Sequence, residues 1–156
     1  MLRHIDYPLD EELVLNIMRE NEQDFDVYKD HRYTDWDKGW EMNWKILRME
    51  HEYFSKIMED LNIQADPRFY VLEPNTYLLP HVDNGTLCCV NMIIGAKSPE
   101  PINILGNDYS YTQALIDVSK EHSVRNGPEP RILLKFSIKN KTFEEVENEI
   151  KYLKVE

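Results

Sequence analysis

The sequence has little cysteine, no long hydrophobic run and a deficit of positive charge. Its only two cysteines, Cys88 and Cys89, are adjacent. Neighbouring side chains on a strand point to opposite faces, so no disulfide is expected between them. We interpret both as small buried side chains in a reducing compartment. No apolar run approaches the roughly 20 residues that a membrane-spanning helix needs, so no membrane partner is expected.

The charge balance limits the classes of partner. The 156 residues include 29 acidic and 18 basic side chains, which gives a formal net charge of −11 at pH 7. Sequence-independent binding to nucleic acid relies on a basic surface, so a nucleic-acid partner is not expected. The N-terminal residues lack the apolar region of a secretion signal, and we expect a cytoplasmic protein. The length fits a single domain over residues 1–156.

Residues 1–66 predict helical support around a charged segment. Residues 1–8 predict an extended lead-in or edge strand, and Asp10 predicts the N-cap of a short helix. The charged stretch 20–38 contains aromatic residues without a period and predicts irregular structure. An aromatic-anchored surface loop is the favoured interpretation of this stretch, and a substrate lid is the alternative. Apolar residues at alternating steps of four and three predict a helix over residues 41–61.

Between residues 67 and 139 the pattern changes to short strand-like segments separated by turns. Many short strands at this spacing are typical of a sandwich or jelly roll, whose mouth commonly carries a site. Residues 140–156 predict a C-terminal helix outside the sheet, opened by a capping box of Thr142 and Glu145. The predicted strands are 69–73, 77–79, 87–94, 102–105, 109–112, 114–118 and 132–138.

His81, Asp83 and His122 are the candidate metal ligands. His81 and Asp83 lie at the end of a predicted strand, where residues i and i+2 project to the same side. His122 follows His81 by 41 residues, which is enough chain to return to the same mouth of an antiparallel sandwich. Two imidazoles and a carboxylate can occupy one face of a six-coordinate metal. This is the facial triad of non-haem Fe(II) oxygenases.

Arg131 opens the last predicted strand. Its guanidinium presents a rigid fork that suits a carboxylate. Strand periodicity places Arg131, Leu133 and Lys135 on one face of this strand, opposite an apolar face. Inward-facing charge is costly unless it is paired. The pattern therefore indicates either an anionic ligand or an arginine at the rim that pairs with an acidic side chain.

These segments resemble a known family, the 2-oxoglutarate- and Fe(II)-dependent oxygenases with a double-stranded β-helix core. They are most similar to its aspartyl/asparaginyl β-hydroxylase-like branch, which includes some free-proline hydroxylases. The resemblance covers about residues 68–138. The segments that carry it are Leu-Pro-His-Val-Asp ending at Asp83, the strand Leu-Cys-Cys-Val-Asn-Met-Ile-Ile over residues 87–94, Glu-His-Ser-Val-Arg-Asn-Gly around His122, and Pro-Arg-Ile-Leu-Leu around Arg131.

The resemblance implies a mainly β protein with flanking helices and a double-stranded β-helix (jelly roll, cupin-like) core. It implies Fe(II) bound by His81, Asp83 and His122, with 2-oxoglutarate and O₂ as co-substrates. It also implies that Arg131 binds the C5 carboxylate of 2-oxoglutarate.

Three further positions bear on the co-substrate. Tyr70 falls where the family often has a hydroxyl bonded to the C5 carboxylate, and Asn91 falls near a position that contacts 2-oxoglutarate. Many relatives have Arg-x-Ser on the last strand, whereas this sequence has Leu133 in place of the serine. The implied activity is hydroxylation of an amino acid or peptidyl side chain, with decarboxylation of 2-oxoglutarate to succinate.

Two alternatives stay open at this point. One is a cupin-like metal-dependent enzyme that does not use 2-oxoglutarate, and the other is a non-catalytic β-sandwich interaction domain. The substrate is a small molecule or a peptidyl side chain, and acidic charge near the N-terminal aromatic residues slightly favours a cationic or peptide-like one. The sequence leaves the oligomeric state open.

Overall fold

The computed structural model describes residues 1–29, 43–96 and 99–155. Within these ranges the chain forms eleven strands in two antiparallel sheets, with three α-helices and a short 3-10 helix. None of the described helices is both long and apolar enough to cross a bilayer. In chain order the elements are β1 (Leu2–His4), α1 (Glu11–Glu20), the 3-10 helix (Glu22–Asp24), β2 (Asp26–Lys29), β3 (Asn43–Arg48), α2 (Glu52–Leu61), β4 (Asp66–Leu72), β5 (Tyr77–His81), β6 (Cys88–Ile93), β7 (Ile102–Ile104), β8 (Asn107–Tyr109), β9 (Gln113–Ile116), β10 (His122–Arg125), β11 (Arg131–Ile138) and α3 (Phe143–Glu149).

The two sheets differ in size. The larger has seven strands in the order β1-β9-β6-β11-β4-β3-β2, and the smaller has four in the order β5-β10-β7-β8. Strands that are distant in sequence are neighbours in both sheets, as β6-β11-β4 in the larger and β5-β10-β7 in the smaller show. The prediction of a mainly β protein with flanking helices is confirmed.

Strand β11 lies at the centre of the larger sheet and buries both of its faces. Leu134 and Phe136 point into a cluster that contains apolar residues of α1, α2 and α3. Leu133 points to the other side, into a cluster with Ile102 of β7 and Val124 of β10. Full burial of one such apolar side chain contributes about 1.5–3 kcal/mol. The helices therefore cover one face of the large sheet, and the small sheet covers the other.

The predicted helix over residues 41–61 is wrong in its first half. Residues 43–48 form β3, which pairs with β4 through Trp44 opposite Leu72, and the helix starts only at Glu52. His51, which lies inside the predicted helix, is the N-cap of α2, where its Nδ1 accepts a hydrogen bond from the Tyr53 backbone N–H. Apolar residues in 43–48 have helical spacing, but the burial of this segment between β2 and β4 makes it a strand.

The charged stretch 20–38 is also more regular than predicted where the structure describes it. Residues 26–29 form β2, the edge strand beside β3, so the N-terminal region supplies strands as well as helical support. The remainder of this stretch, with the aromatics Tyr33 and Trp36, lies outside the described residues. The loop and lid interpretations of that part stay predictions.

Local signals at the ends of elements were more reliable. β1 is an edge strand, Asp10 caps α1, and Thr142 and Glu145 form the predicted capping box of α3. The strand β10 was not predicted, although it lies between β5 and β7 in the small sheet. Its position matters because it begins with His122.

Candidate metal centre

Strands β5 and β10 bring the two candidate histidines together. His81 ends β5 and His122 begins β10, and the two residues lie opposite each other in this antiparallel pair. Asp83 follows two residues after His81, where its backbone N–H donates to the Val118 carbonyl at 3.2 Å. One ligand atom from each of the three side chains lies within 4.8 Å of the others. Their role as metal ligands stays a prediction, but the geometry that it requires is present.

Hydrogen bonds to the backbone orient both imidazole rings. Nδ1–H of His81 donates to the Leu79 carbonyl at 2.7 Å, and Nδ1–H of His122 donates to the Lys120 carbonyl at 2.8 Å. Nε2 of each ring then faces the same atom, Asp83 Oδ1, at 3.3 Å and 3.1 Å respectively. Such a second hydrogen bond is typical of histidines that bind metals through Nε2.

The arrangement of His81 Nε2, His122 Nε2 and Asp83 Oδ1 bears on whether these residues fit a bound metal ion. When both rings are neutral, two Nε2 lone pairs and a carboxylate oxygen face one another, and a cation between them is needed to offset the repulsion. A proton on Nε2 or a metal ion can fill that role. Neutral imidazole and carboxylate are suitable donors for a divalent first-row metal, so the three side chains of His81, Asp83 and His122 fit a bound Fe(II).

The second oxygen of Asp83 is held by a lysine. Lys135 Nζ donates to Asp83 Oδ2 at 2.8 Å from the central strand β11. Burial by itself would raise the pKa of Asp83, but hydrogen bonds from His122 and His81 and the Lys135 charge hold that pKa well below its usual range. Asp83 is therefore an anion that presents one oxygen, Oδ1, towards the histidines.

The pKa of His81 responds to the same neighbours. Burial lowers the pKa of the ring, but the hydrogen bonds to Asp83 and to the Leu79 carbonyl, with the Asp83 charge, outweigh that effect and raise it. Without a metal the His81 ring is therefore more readily protonated than an isolated histidine. Metal binding displaces such a proton from the ligand atom.

Arg131 is 3% exposed and lies at the start of β11. Its Nη1 donates to the Glu100 carbonyl and its Nη2 donates to the Tyr111 hydroxyl at 3.3 Å. Its Nε is buried and has no hydrogen-bond partner among the described residues. No carboxylate side chain forms a salt bridge with it in the described part of the chain. A buried guanidinium with spare donors is suited to an anionic ligand.

Tyr70 and Asn91 both line the same cavity as the triad. Tyr70 stacks on Trp44, with ring centroids 5.4 Å apart. Asn91 Nδ2 donates to the Tyr111 hydroxyl at 3.1 Å, so Asn91 reaches Arg131 through Tyr111. Their predicted contacts with a co-substrate stay predictions, and their placement at the cavity is compatible with them.

A cavity of about 520 Å³ connects these groups between the two sheets. It contains His81, Asp83 and His122 on one side and Arg131 at the start of β11. Leu72, Leu78, Ile102, Val118, Val124 and Leu133 supply its apolar walls. The combination of an apolar pocket with a few convergent polar groups is typical of small-molecule sites.

Sequence reasoning missed three residues of this site. Tyr111 was assigned to a strand without a role, because nothing local shows that its hydroxyl meets Arg131. Lys135 was placed on the face of Arg131, but its contact with Asp83 joins residues 52 positions apart. Arg68 was assigned only to the start of the β region. Because alternate residues of a strand share a face, the sequence could have placed Arg68 on the same face as Tyr70.

No protein-family model and no curated protein sequence matches the chain. Solved structures do match. A prolyl-4-hydroxylase from Pseudomonas putida superposes with a TM-score of 0.65 at 9% identity, covering 90% of this chain and 92% of that one. An oxidoreductase of the 2OG-Fe(II) oxygenase family from Burkholderia pseudomallei superposes with a TM-score of 0.56 at 11% identity, covering 83% and 79%.

At these identities the similarity is one of fold. It confirms the predicted double-stranded β-helix (jelly roll, cupin-like) core, and it does not distinguish the aspartyl/asparaginyl β-hydroxylase-like branch from others. The chain therefore has the fold of 2OG-Fe(II) oxygenases and carries a His-Asp-His cluster that could hold a metal ion.

Proposed function

We propose that this protein is an Fe(II)- and 2-oxoglutarate-dependent dioxygenase that hydroxylates an amino acid or a peptidyl side chain. The observation that carries the proposal is the convergence of His81 Nε2, His122 Nε2 and Asp83 Oδ1 at a cavity that also contains Arg131. The fold shared with solved oxygenases of this type supports it. The cupin-like and non-catalytic alternatives leave the spare donors of a buried arginine unexplained.

In this proposal His81, Asp83 and His122 hold Fe(II), and Lys135 keeps Asp83 in place by occupying Oδ2. The bound iron supplies the activation of O₂ that is coupled to oxidative decarboxylation of 2-oxoglutarate. The protein contributes ligand geometry, orientation of the co-substrate and exclusion of water by the apolar cavity walls.

Arg131 binds the C5 carboxylate of 2-oxoglutarate with its spare donors. The Tyr111 hydroxyl accepts a hydrogen bond from Arg131 Nη2 and one from Asn91, so these two residues keep the guanidinium aimed into the cavity. Leu133 offers no hydroxyl on this strand, and the hydroxyl of Tyr70, which lines the same cavity, would replace the hydrogen bond of the serine in relatives.

The test is 2-oxoglutarate binding to Arg131→Gln. Calorimetric titration is run on protein loaded with Mn(II), which does not turn over with O₂ in this type of site. Loss of charge-assisted hydrogen bonds costs about 1.5–3 kcal/mol, so the dissociation constant is expected to rise between about 10- and 150-fold.

Arg125→Gln is the matched control, because Arg125 is an exposed arginine whose guanidinium stacks on Tyr77 outside the cavity. Its affinity for 2-oxoglutarate should equal that of the wild type. Equal affinity in Arg131→Gln as well would remove Arg131 from the co-substrate site. No binding to the wild type would contradict the proposed function.

A further inference from the structure

A row of polar side chains crosses the large sheet inside the cavity. Arg48 of β3 lies opposite Arg68 of β4, and Arg68 lies opposite Lys135 of β11. Lys135 in turn lies opposite Asn91 of β6. All four residues line the cavity that contains the triad. Like charges directly opposite each other on neighbouring strands are destabilising, so three adjacent cations require compensating negative charge.

The described residues provide little of that charge. Asp83 is the one carboxylate among the described residues that line the cavity, and it already pairs with Lys135. Arg68 has only Asp66, whose carboxylate is 3.9 Å away, 58% exposed and closer to Lys139 Nζ at 2.9 Å. Within residues 1–29, 43–96 and 99–155, the acidic side chains therefore do not neutralise the cations that line the cavity.

Arg68 itself is 8% exposed, and its Nε is buried without a hydrogen-bond partner among the described residues. A buried charge that lacks a well-placed partner is strongly unfavourable. In an otherwise well-packed fold, a buried charge without a well-placed partner is expected at functional positions. The Arg68 guanidinium therefore has N–H donors that are available to a ligand, and they are separate from the available donors of Arg131.

The two arginines lie at opposite ends of the cavity. Arg131 pairs with Leu72 and Arg68 pairs with Lys135, so their rows are four residues apart along β11, or roughly 13 Å in an extended strand. Fe(II) and fully ionised 2-oxoglutarate carry opposite charges of equal size, so their binding leaves the positive excess at the Arg68 end unchanged. A further anion is needed there.

We infer that the primary substrate carries a carboxylate or phosphate group that binds Arg68, with Arg48 at the exposed edge of the same row. This inference rests on the proposed function and names its substrate class. Arg48 is exposed and Arg68 is buried, so the row leads from solvent to the metal centre through Lys135 and Asp83. The anion anchors the substrate at the end of the cavity away from Arg131 and brings a C–H bond to the metal.

This inference differs from the expectation that acidic charge near the N-terminal aromatics favours a cationic substrate. The cavity is lined by Arg48, Arg68, Arg131 and Lys135. Complementarity at the contact surface, rather than net charge, selects a bound group. A cationic substrate group placed beside Arg68 would add a further like charge.

The experiment measures the binding of inorganic phosphate and of L-aspartate to Mn(II)-loaded protein saturated with 2-oxoglutarate. Titrations are calorimetric, at fixed ionic strength, and n-butylamine, a cation without a carboxylate, is the comparison. The wild type is expected to bind at least one of the two anions and not n-butylamine. Arg68→Gln should weaken that binding at least tenfold, and the anion with the larger loss identifies whether the site prefers phosphate or carboxylate.

Two further variants separate binding from folding. Arg48→Gln changes an exposed residue of the same row and should weaken anion binding by a smaller factor. Arg19→Gln changes an exposed arginine of α1, which packs on the opposite face of the large sheet, and should leave it unchanged. The melting temperature of Arg68→Gln should not fall below that of the wild type, because the change removes a like charge from the row.

The outcomes distinguish this inference from the proposed function. Absence of binding of both anions to the wild type, or equal binding to wild type and Arg68→Gln, overturns the inference even if 2-oxoglutarate binds. Loss of anion binding in Arg68→Gln, in a protein that does not bind 2-oxoglutarate, supports an anion site and contradicts the proposed oxygenase.

Discussion

Replacing His81 with alanine is expected to abolish the Fe(II)-dependent conversion of 2-oxoglutarate to succinate. The substitution removes one of the three candidate ligand atoms, His81 Nε2, His122 Nε2 and Asp83 Oδ1, and leaves an incomplete site. Loss of an outer partner of a metal ligand typically costs 10- to 100-fold in metal affinity or activity, and loss of a ligand itself should cost more than about 100-fold. Succinate formation at saturating 2-oxoglutarate measures the effect, with iron content determined in parallel.

His4→Ala is the matched control. His4 lies on the edge strand β1, and its backbone carbonyl, rather than its ring, accepts the hydrogen bond from Lys154 N–H. This variant should retain both iron and succinate formation. A His81→Ala protein that forms succinate at the wild-type rate would remove His81 from the mechanism.

Phe136→Ala is expected to cause the largest loss of stability. Phe136 is fully buried on the helix side of β11 and packs edge-to-face against Phe54 of α2, with ring centroids 6.4 Å apart. Truncation of a buried phenylalanine to alanine costs about 3–5 kcal/mol, because it loses apolar burial and leaves a cavity. Most single domains have only about 5–15 kcal/mol of stability. Urea unfolding followed by tryptophan fluorescence measures the difference.

The position of Phe136 on β11 adds a functional consequence. Its neighbour Lys135 points to the opposite face, where it holds Asp83. Disorder of β11 would therefore affect the candidate metal site as well as the core. Val27→Ala, at a side chain that is 61% exposed on β2, is the control and should change the free energy of unfolding by less than about 0.5 kcal/mol. A similar loss in both variants would contradict the assignment of Phe136 to the core.

Much of the site was predictable because its signals are local. His81 and Asp83 have the i, i+2 spacing of a strand end, and the period of two placed Arg131 and Lys135 on one face of β11. The structure has both features. The capping box of Thr142 and Glu145 was equally local and is confirmed.

The failures arose where non-local pairing decides the structure. Trp44 and Leu47 fit a helical stripe as well as a strand, and only their pairing with β4 selects the strand. The strand β10 was missed because only its pairing with β5 on one side and β7 on the other defines it. The row of Arg48, Arg68, Lys135 and Asn91 could not be recognised because it combines residues of four strands whose register no short motif specifies.

Anaerobic titration of the wild-type protein with Fe(II) and then 2-oxoglutarate shows whether the triad binds iron and whether that iron chelates the co-substrate. Chelation of iron by a 2-oxo acid in a site with two imidazoles and one carboxylate gives a weak visible charge-transfer absorption. We expect this absorption to appear only when both components are present and to saturate at one equivalent of each. Iron binding without the absorption would contradict the use of 2-oxoglutarate, and absence of iron binding would contradict the metal centre itself.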